Sequence, residues 1–368
     1  MRKVELSYSL GAGRAGPAIR NPLMDLLHAV REAGSISGAA TLMGQSYRHV
    51  WGELKRWEAD LGRGLIVWEK GQPARLSEFG EKLLWAERQA QARLSPQIEA
   101  LHADLERVFA VAFDDASHVL TLYASHDDAL PALREHAVAA CGLHLDIRFC
   151  GSVDAIQALN QGRCVMAGFH AAPSPVPGSL AQRTYQPLLK PGLHKIIGFA
   201  RRSQGLLVAP GNPLQLEGLA DLCRAGVRFV NRPLGTGTRL LTEQLLSQAG
   251  IAPAQVRGWE REEASHAAVA LAVASGSADA GLGIEAAAAA HGLSFVPLVT
   301  EDYYLACLKA ALEQPPVQAL RQVLAGAGWQ QRLAQLAGYE PSRSGEVLSL
   351  SRELPWWRFR KSASGPAA

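Results

Sequence analysis

The chain has 368 residues, 48% of them hydrophobic and 19% charged, with a formal net charge of +3. That length allows two or three domains with a sizeable core, and that balance excludes a disordered or membrane-spanning composition. A net charge of +3 does not argue for nucleic acid by itself, but residues 48–94 hold much of the arginine and lysine.

Residues 1–20 form an N-terminal arm, MRKVELSYSLGAGRAGPAIR, without the continuous apolar stretch of a signal peptide. A helix is expected from Asn21-Pro22, a cap residue followed by proline at the first helical position. Leu23, Leu26, Leu27 and Val30 recur at helical spacing, and Gly34 ends the run. Ser35 or Ser37 caps a short alanine-rich helix near 37–43, whose small residues let a crossing helix come close. Gly44 supplies a tight turn, and Ser46 caps a third helix to about Asp60.

In that third helix Val50, Leu54, Trp57 and Leu61 share one face. The opposite face shows Tyr47, Arg48, Trp51, Lys55 and, near its edge, Arg56, with Gln45 and Ser46 at the leading end. Two short helices joined by a glycine turn, the second basic outward, make the helix-turn-helix pattern. A helical hairpin with a solvated charged face has the same spacing. The next stretch, GLIVWEKGQPARLSEFGEKLL, reads as strand, turn, strand and a new helix from about Ser77. Its short basic turn suits a wing that grips phosphate beside a DNA groove. Helical periodicity then continues to about Val111, with Pro96 expected to kink or divide it.

From Ser117 the texture becomes strand, turn and helix, repeated: HVLTLYASHDDALPALREH, then LHLDIRFCGSVDAIQALNQG, then VRFVNRPLGTGTRLLTEQLLSQAG. KIIGFARRSQGLLVAPGNP reads as strands crossing toward a second lobe. Such units imply mainly parallel sheets with helices on both faces, and ligands gather at the strand ends on helix N-termini. His170, after a strand, is read as a packed or edge residue. Cys141, Cys150, Cys164, Cys223 and Cys307 show no paired spacing, which fits reduced cytoplasmic thiols without zinc or disulfides. No run reaches the roughly 18 apolar residues of a membrane span.

The most informative turn is NRPLGTGTRLL, residues 231–241. Gly235 and Gly237 let backbone approach a ligand, Thr236 and Thr238 supply hydroxyls, and the following helix aims free N–H groups at the same point. Such a nest suits a tetrahedral oxyanion; a tight strand-to-helix turn without ligand has the same residues. The spacing is not that of a Walker loop, and GxSxG, HExxH and dinucleotide fingerprints are missing, so no enzyme is expected. Molybdate, tungstate and sulfate need donors only, whereas phosphate benefits from a carboxylate acceptor. Asp127 or Asp128 facing the cleft would disfavour bare molybdate. Both facing water would leave it the simplest ligand.

Residues 21–83, above all GSISGAATLMGQSYRHVWGEL and RLSEFGEKLL, resemble the winged helix-turn-helix of LysR-type regulators, and most of all the variant in molybdate-responsive ModE-type regulators. The resemblance implies that Tyr47, Arg48 and Trp51 meet bases or sugars and that Lys55, Lys70 and Arg75 meet phosphates. Gly52 departs from it, standing where such helices carry a longer polar side chain. The region from about 118 to 345 resembles the two-lobed periplasmic oxyanion-binding proteins, most specifically in the glycine loop. By position Ser125, Ser152, Thr236, Gly237, Thr238 and Arg239 would line its cleft, with Ser265, His266 and Tyr303 or Tyr304 as further candidates.

The expectation is a multidomain chain. An all-α winged helix-turn-helix domain (21–83) is followed by a linker or dimerisation helix (84–116). An α/β two-lobed, type II periplasmic-binding-protein-like domain (117–350, second lobe about 198–298) comes next, then a tail (351–368). Its expected role is a cytoplasmic regulator, a homodimer or homotetramer on a pseudo-palindromic double-stranded operator. It would sense molybdate, tungstate or the molybdenum cofactor, with no covalent cofactor and no membrane. A LysR-type regulator sensing a small organic acid, and an oxyanion or molybdenum-cofactor handling protein, are the alternatives.

Overall fold

The computed structural model describes residues 21–68, 74–113, 118–172 and 178–357. Lys70, the tip of the expected wing, the N-terminal arm and the end of the tail lie outside them. The chain divides into two compact units, Met1–Gln91 and Ala92–Ala368.

The first unit opens with α1 (Pro22–Ala33), α2 (Ile36–Leu42) and α3 (Tyr47–Leu61). Each starts where a side chain takes up orphan amides. Asn21 Oδ1 accepts from Leu23 N at 3.0 Å, Ser35 Oγ from Gly38 N at 3.0 Å, and Ser46 Oγ from His49 N at 3.2 Å. The strands β1 (Ile66–Val67) and β2 (Arg75–Leu76) pair antiparallel and lead into α4 (Glu78–Phe113). Leu27, Ile36, Val50, Leu54, Leu65 and Leu84 close one core. Gly80 is required where α4 meets β1: a Cβ there would lie 2.5 Å from the Leu65 carbonyl oxygen. Glu58 ties α3 to the same strand, its Oε1 accepting from Leu65 N at 2.7 Å and Ile66 N at 3.2 Å. Leu54 is 0% exposed. Leu54→Ala is expected to cost about 2–5 kcal/mol by loss of transfer energy and a residual cavity, read as an earlier unfolding midpoint of the first unit in denaturant.

The expected division into two segments at Pro96 is corrected: α4 is one helix of 36 residues. Proline withholds a single N–H, the one that would bond the carbonyl four residues back. That carbonyl, Ala92 O, instead accepts from Ser265 Oγ at 3.0 Å. A hydroxyl from elsewhere in the second unit thus replaces the missing donor.

The second unit begins with β3 (His118–Ala124), α5 (Ala129–Cys141), β4 (Leu143–Phe149), α6 (Ser152–Asn160), β5 (Met166–Ala171) and α7 (Leu180–Tyr185). The long strand β6 (His194–Val208) crosses to β7 (Phe229–Val230), α8 (Gly237–Gln248), α9 (His266–Ala274), β8 (Ala280–Ile284) and α10 (Glu285–Ala290). Strand β9 (Ser294–Leu308) returns the chain to α11 (Pro315–Ala325), α12 (Ala327–Ala334), β10 (Tyr339–Glu340), β11 (Val347–Leu348) and α13 (Leu350–Glu353).

One sheet runs β4-β3-β5-β9-β6-β8-β7, with β10 and β11 also pairing β6. Among the described strands only β3–β4, β3–β5 and β7–β8 pair parallel. The sheet is therefore mixed, not mainly parallel: β6 and β9, 15 residues each, run antiparallel to one another. Outgoing and returning passes of one chain must oppose. Separate apolar clusters sit around β3, β4 and α11 and around β7, β8 and α8. The parallel strands on both sides of the β6–β9 pair end in loops that open helices, so helix N-termini converge there.

Candidate functional sites

In the first unit, α3 buries Val50 and Leu54 and leaves Tyr47, Arg48, Lys55 and Arg56 exposed, with Trp51 half-buried. Gln45 and Ser46, exposed at the start, belong to the turn and cap; Arg75 on β2 is exposed. Tyr47 and Trp51 stack at 6.4 Å, Trp68 meets Trp51 edge-on at 5.7 Å, and Lys55 Nζ lies 4.7 Å over the Trp51 ring. Trp68, 63% exposed, was not among the expected residues although it adjoins the wing. Among the described residues Lys55 and Arg56 form ion pairs with i,i+3 partners, Glu58 and Glu53, each at 2.7 Å. Such exposed pairs are weak and yield to phosphate at little cost. A wide groove of about 1000 Å³ on the same unit is acidic, its Asp25, Glu32, Glu53 and Glu87 outnumbering Arg88.

In the second unit the loops after β3, β4 and β7 meet. Ser125 Oγ, after β3, lies 3.3 Å from Ser152 Oγ at the start of α6. A Cβ on Gly151 would stand 2.6 Å from the Gly235 carbonyl oxygen. A Cβ on Gly237, the first residue of α8, would lie 3.3 Å from His170 Nδ1 and 3.4 Å from Ser152 Oγ. So the amide end of α8, two serine hydroxyls and the His170 ring share one small space. Tyr303 on β9 stacks on His170 with ring centroids 3.9 Å apart. Both His170 nitrogens and the Tyr303 hydroxyl are buried without a hydrogen-bond partner. Orphans of that kind carry a desolvation cost that a ligand would relieve.

Burial, with the Arg202 charge second, keeps the His170 pKa well below the usual imidazole value, so the ring is neutral at pH 7. Burial likewise pushes the Tyr303 phenol well up. Both stay neutral donors.

Not every expected residue reaches this space. Thr238 Oγ1 accepts from Gln204 Nε2 at 3.2 Å, leaving its own proton to donate. Thr236 is occupied as the α8 cap, accepting from Arg239 N at 3.3 Å and donating to Pro233 O at 2.8 Å. Arg239 is bound to Glu243 at 2.7 Å and Glu262 at 3.3 Å and lies 4.2 Å over Trp259, so its charge is already answered. The Ser265 hydroxyl caps α9 through Ala268 N at 3.1 Å as well as holding Ala92 O. His266 opens α9 with a buried Nδ1 that has no partner. Tyr304 pairs with Asp302 at 3.3 Å.

Asp127 faces neither water nor ligand. It is fully buried, its Oδ1 accepting from Ala129 N at 2.9 Å and its Oδ2 from Tyr339 Oη at 2.8 Å and from Arg202. Arg202 also donates to Glu301, Nε at 2.7 Å. Burial disfavours its charge, but Glu301 and Asp127 outweigh that and hold the guanidinium above its usual range. With Asp127 committed, Gln204 Oε1 is a buried acceptor without a donor, and so is one nitrogen of the neutral His170 ring.

Sequence reasoning passed over Arg202 and Gln204, whereas His170 is packed, as expected, with its ring against Tyr303. A signal existed for the first: paired arginines inside the apolar run IIGFARRSQGLLV. It also passed over Arg232, two positions into the glycine-loop stretch and 2% exposed. Burial and then Arg202 push the Arg232 guanidinium down to about 9, while Asp128 pulls the other way without offsetting them. Among the described residues no helix is long and apolar enough to cross a membrane, and no cluster of three His, Cys, Asp or Glu stands ready for a metal.

Comparison with known proteins assigns both units. The family described as PBP superfamily domain matches residues 117–325, and the bacterial regulatory helix-turn-helix protein, lysR family, matches residues 23–81. The uncharacterized protein YvgK of Bacillus subtilis (strain 168) is 31% identical over 201 residues, 55% of this chain and 64% of that protein. The chain therefore spans less than two thirds of that relative's length. An uncharacterized protein encoded in the ferredoxin 2Fe-2S gene 5' region of Clostridium pasteurianum is 31% identical over 111 residues, 30% of this chain and 98% of that protein. Full-length BenM superposes with a TM-score of 0.43 at 16% identity, over 85% of this chain and 96% of that one. Full-length LysG of Corynebacterium glutamicum gives 0.38 at 18%, over 82% and 94%. Superpositions that loose carry no argument about ligand or partner.

Proposed function

We infer, from a chain that belongs to the PBP superfamily and joins that domain to a lysR-family helix-turn-helix, that it is a ligand-responsive transcriptional regulator. The exposed face of α3 reads double-stranded DNA, with Arg48 and the aromatic pair Tyr47–Trp51 toward bases and Lys55 and Arg75 toward phosphates. A homodimer or homotetramer places two such helices on a pseudo-palindromic operator. The effector is a small oxyanion held at the N-terminus of α8, with molybdate or tungstate the best fit.

One observation carries the effector reading. Donors without partners, from His170 and Tyr303, converge on the first amide of α8 beside Ser125 and Ser152. Asp127 is spent on Arg202 and Tyr339, so that carboxylate does not oppose an unprotonated oxyanion. The acceptor Gln204 Oε1 favours a second reading, a small organic acid with a hydroxyl to give. Anion binding biases one of two states of the second unit and, through it, the fit to DNA.

Thermal melting with molybdate, tungstate, sulfate, phosphate and organic acids tests this. One class should raise the midpoint, by about 2.7 kcal/mol of stabilisation at a hundredfold excess over its dissociation constant. No response to any of them would end the effector reading. Gel shifts on the upstream DNA should show steep salt dependence. Arg48→Ala should cost about 1–3 kcal/mol of operator affinity, and Lys55→Ala should reduce the salt slope by about 1. A protein blind to DNA at low salt would instead be an anion-handling protein.

A further inference from the structure

Arg232 is a buried guanidinium short of a counter-charge. Its Nη1 donates to the Glu263 backbone carbonyl at 3.2 Å, and its Nε has no partner. No ion pair joins it to a carboxylate among the described residues, and Asp128 offsets its charge only in part. Arg202, the other buried guanidinium, is answered by Asp127 and Glu301. Burial first, then the charges of Arg232 and Arg202, hold the His266 pKa well below the usual imidazole value, so both guanidiniums lie near that ring. An uncompensated buried cation beside neutral imidazoles is expensive unless an anion arrives.

The residue to which Arg232 donates is itself a clamp. Glu263, 6% exposed, grips Arg93 of α4 with two bonds, Nε to Oε2 at 3.0 Å and Nη2 to Oε1 at 2.7 Å. Two residues on, Ser265 donates to Ala92 O, the carbonyl that Pro96 leaves without a partner. Strand-end residue Asn231 holds the same segment, its carbonyl accepting from Glu263 N at 2.9 Å. So the chain from Asn231–Arg232 to Glu263–Ser265 ends on α4 at the turn where Pro96 supplies no amide donor.

We propose that Arg232 supplies the counter-charge of the effector anion, and that its occupancy is passed through Glu263 and Ser265 to α4 at Ala92–Pro96. This rests on the cleft being the effector site. When an anion neutralises Arg232, the guanidinium is held from both sides and the Glu263 segment is fixed. The turn of α4 that depends on Ser265 then opens less often. The ligand class is a small anion, and the responding element is the proline turn of α4.

The test uses the full chain with molybdate and tungstate as probes, reading melting midpoint and hydrogen exchange at amides 92–100. In the wild type the anion should raise the midpoint and slow exchange at these amides several-fold. Arg232→Gln should weaken the anion at least tenfold while leaving the anion-free midpoint equal or higher, because an unanswered charge has been removed. A merely structural arginine would lower that midpoint. Arg232→Lys, which keeps the charge, should retain most of the affinity. Glu263→Gln and Ser265→Ala should keep the anion-induced midpoint shift but lose the protection at 92–100. Wild-type affinity in Arg232→Gln, or anion binding with unchanged exchange at 92–100, overturns the proposal. Absence of any shift in the wild type overturns the cleft reading, and the proposal with it.

Discussion

Arg202→Met is expected to destabilise the second unit by about 3–5 kcal/mol, because it strands two buried carboxylates. Asp127 and Glu301 lie at 0% and 2% exposure, and their side chains lean on one guanidinium. Methionine fills similar volume, so the loss is electrostatic more than steric. Its pH dependence has a definite sign. Burial first, and the Arg202 charge second, hold the His170 pKa well below the usual imidazole value, so the wild type loses stability as acid protonates the unfolded ring and not the folded one. With the Arg202 charge gone the folded ring protonates more readily, and the variant loses less of that stability in acid. Calorimetry at pH 4.5 and 7.5 should therefore show the gap between wild type and variant widening toward pH 7.5. A gap that stays constant would mean that burial alone holds His170 neutral.

Gly237→Val is expected to erase the effector response without unfolding the protein. The glycine is buried, and a Cβ would already sit 3.3 Å from His170 Nδ1 and 3.4 Å from Ser152 Oγ. A branched side chain extends further into the space where the donors meet, so the anion and the methyl groups compete for one volume. Overpacking costs about 1–3 kcal/mol, small enough for the domain to survive. The anion-induced melting shift should fall to nothing, while the gel shift without anion persists. Gly237→Ala, at the edge of contact, should weaken the anion without abolishing it. An undiminished shift in the valine variant would place the effector elsewhere.

Some of this was readable before any coordinates. The helix starts at Asn21 and Ser46 were readable, and the second was narrowed to Ser35 or Ser37, of which the structure uses Ser35, because a cap is a bond spanning two or three residues. The buried stripe Val50–Leu54 followed from a period of 3.6. The glycine loop announced a helix N-terminus that a ligand can approach. By contrast, the functions assigned to Thr236 and Arg239 on position alone did not allow for what surrounds them. Thr236 spends its hydroxyl on the cap, and Arg239 is neutralised by Glu243 and by Glu262, 23 residues away.

Pro96 shows the same boundary from the other side. A local rule allowed a kink or a division into two segments; the helix is undivided, and a serine 173 positions from Ala92 bonds the carbonyl that proline leaves. Asp127 was left as facing either ligand or solvent; Arg202 at a separation of 75 residues and Tyr339 at 212 decided for neither.

What the amino-acid order determined alone is therefore everything settled within about one helical turn: starts, stops, buried stripes and the glycine approach to α8. Only the folded chain decided which charges are spent and which stand open. Electrostatic partnership depends on distance in space and on burial, and the crossing of β6 and β9 brings together groups far apart in sequence. That is why Arg202 is satisfied, Arg232 is not, and the unpartnered His170 faces the amide end of α8.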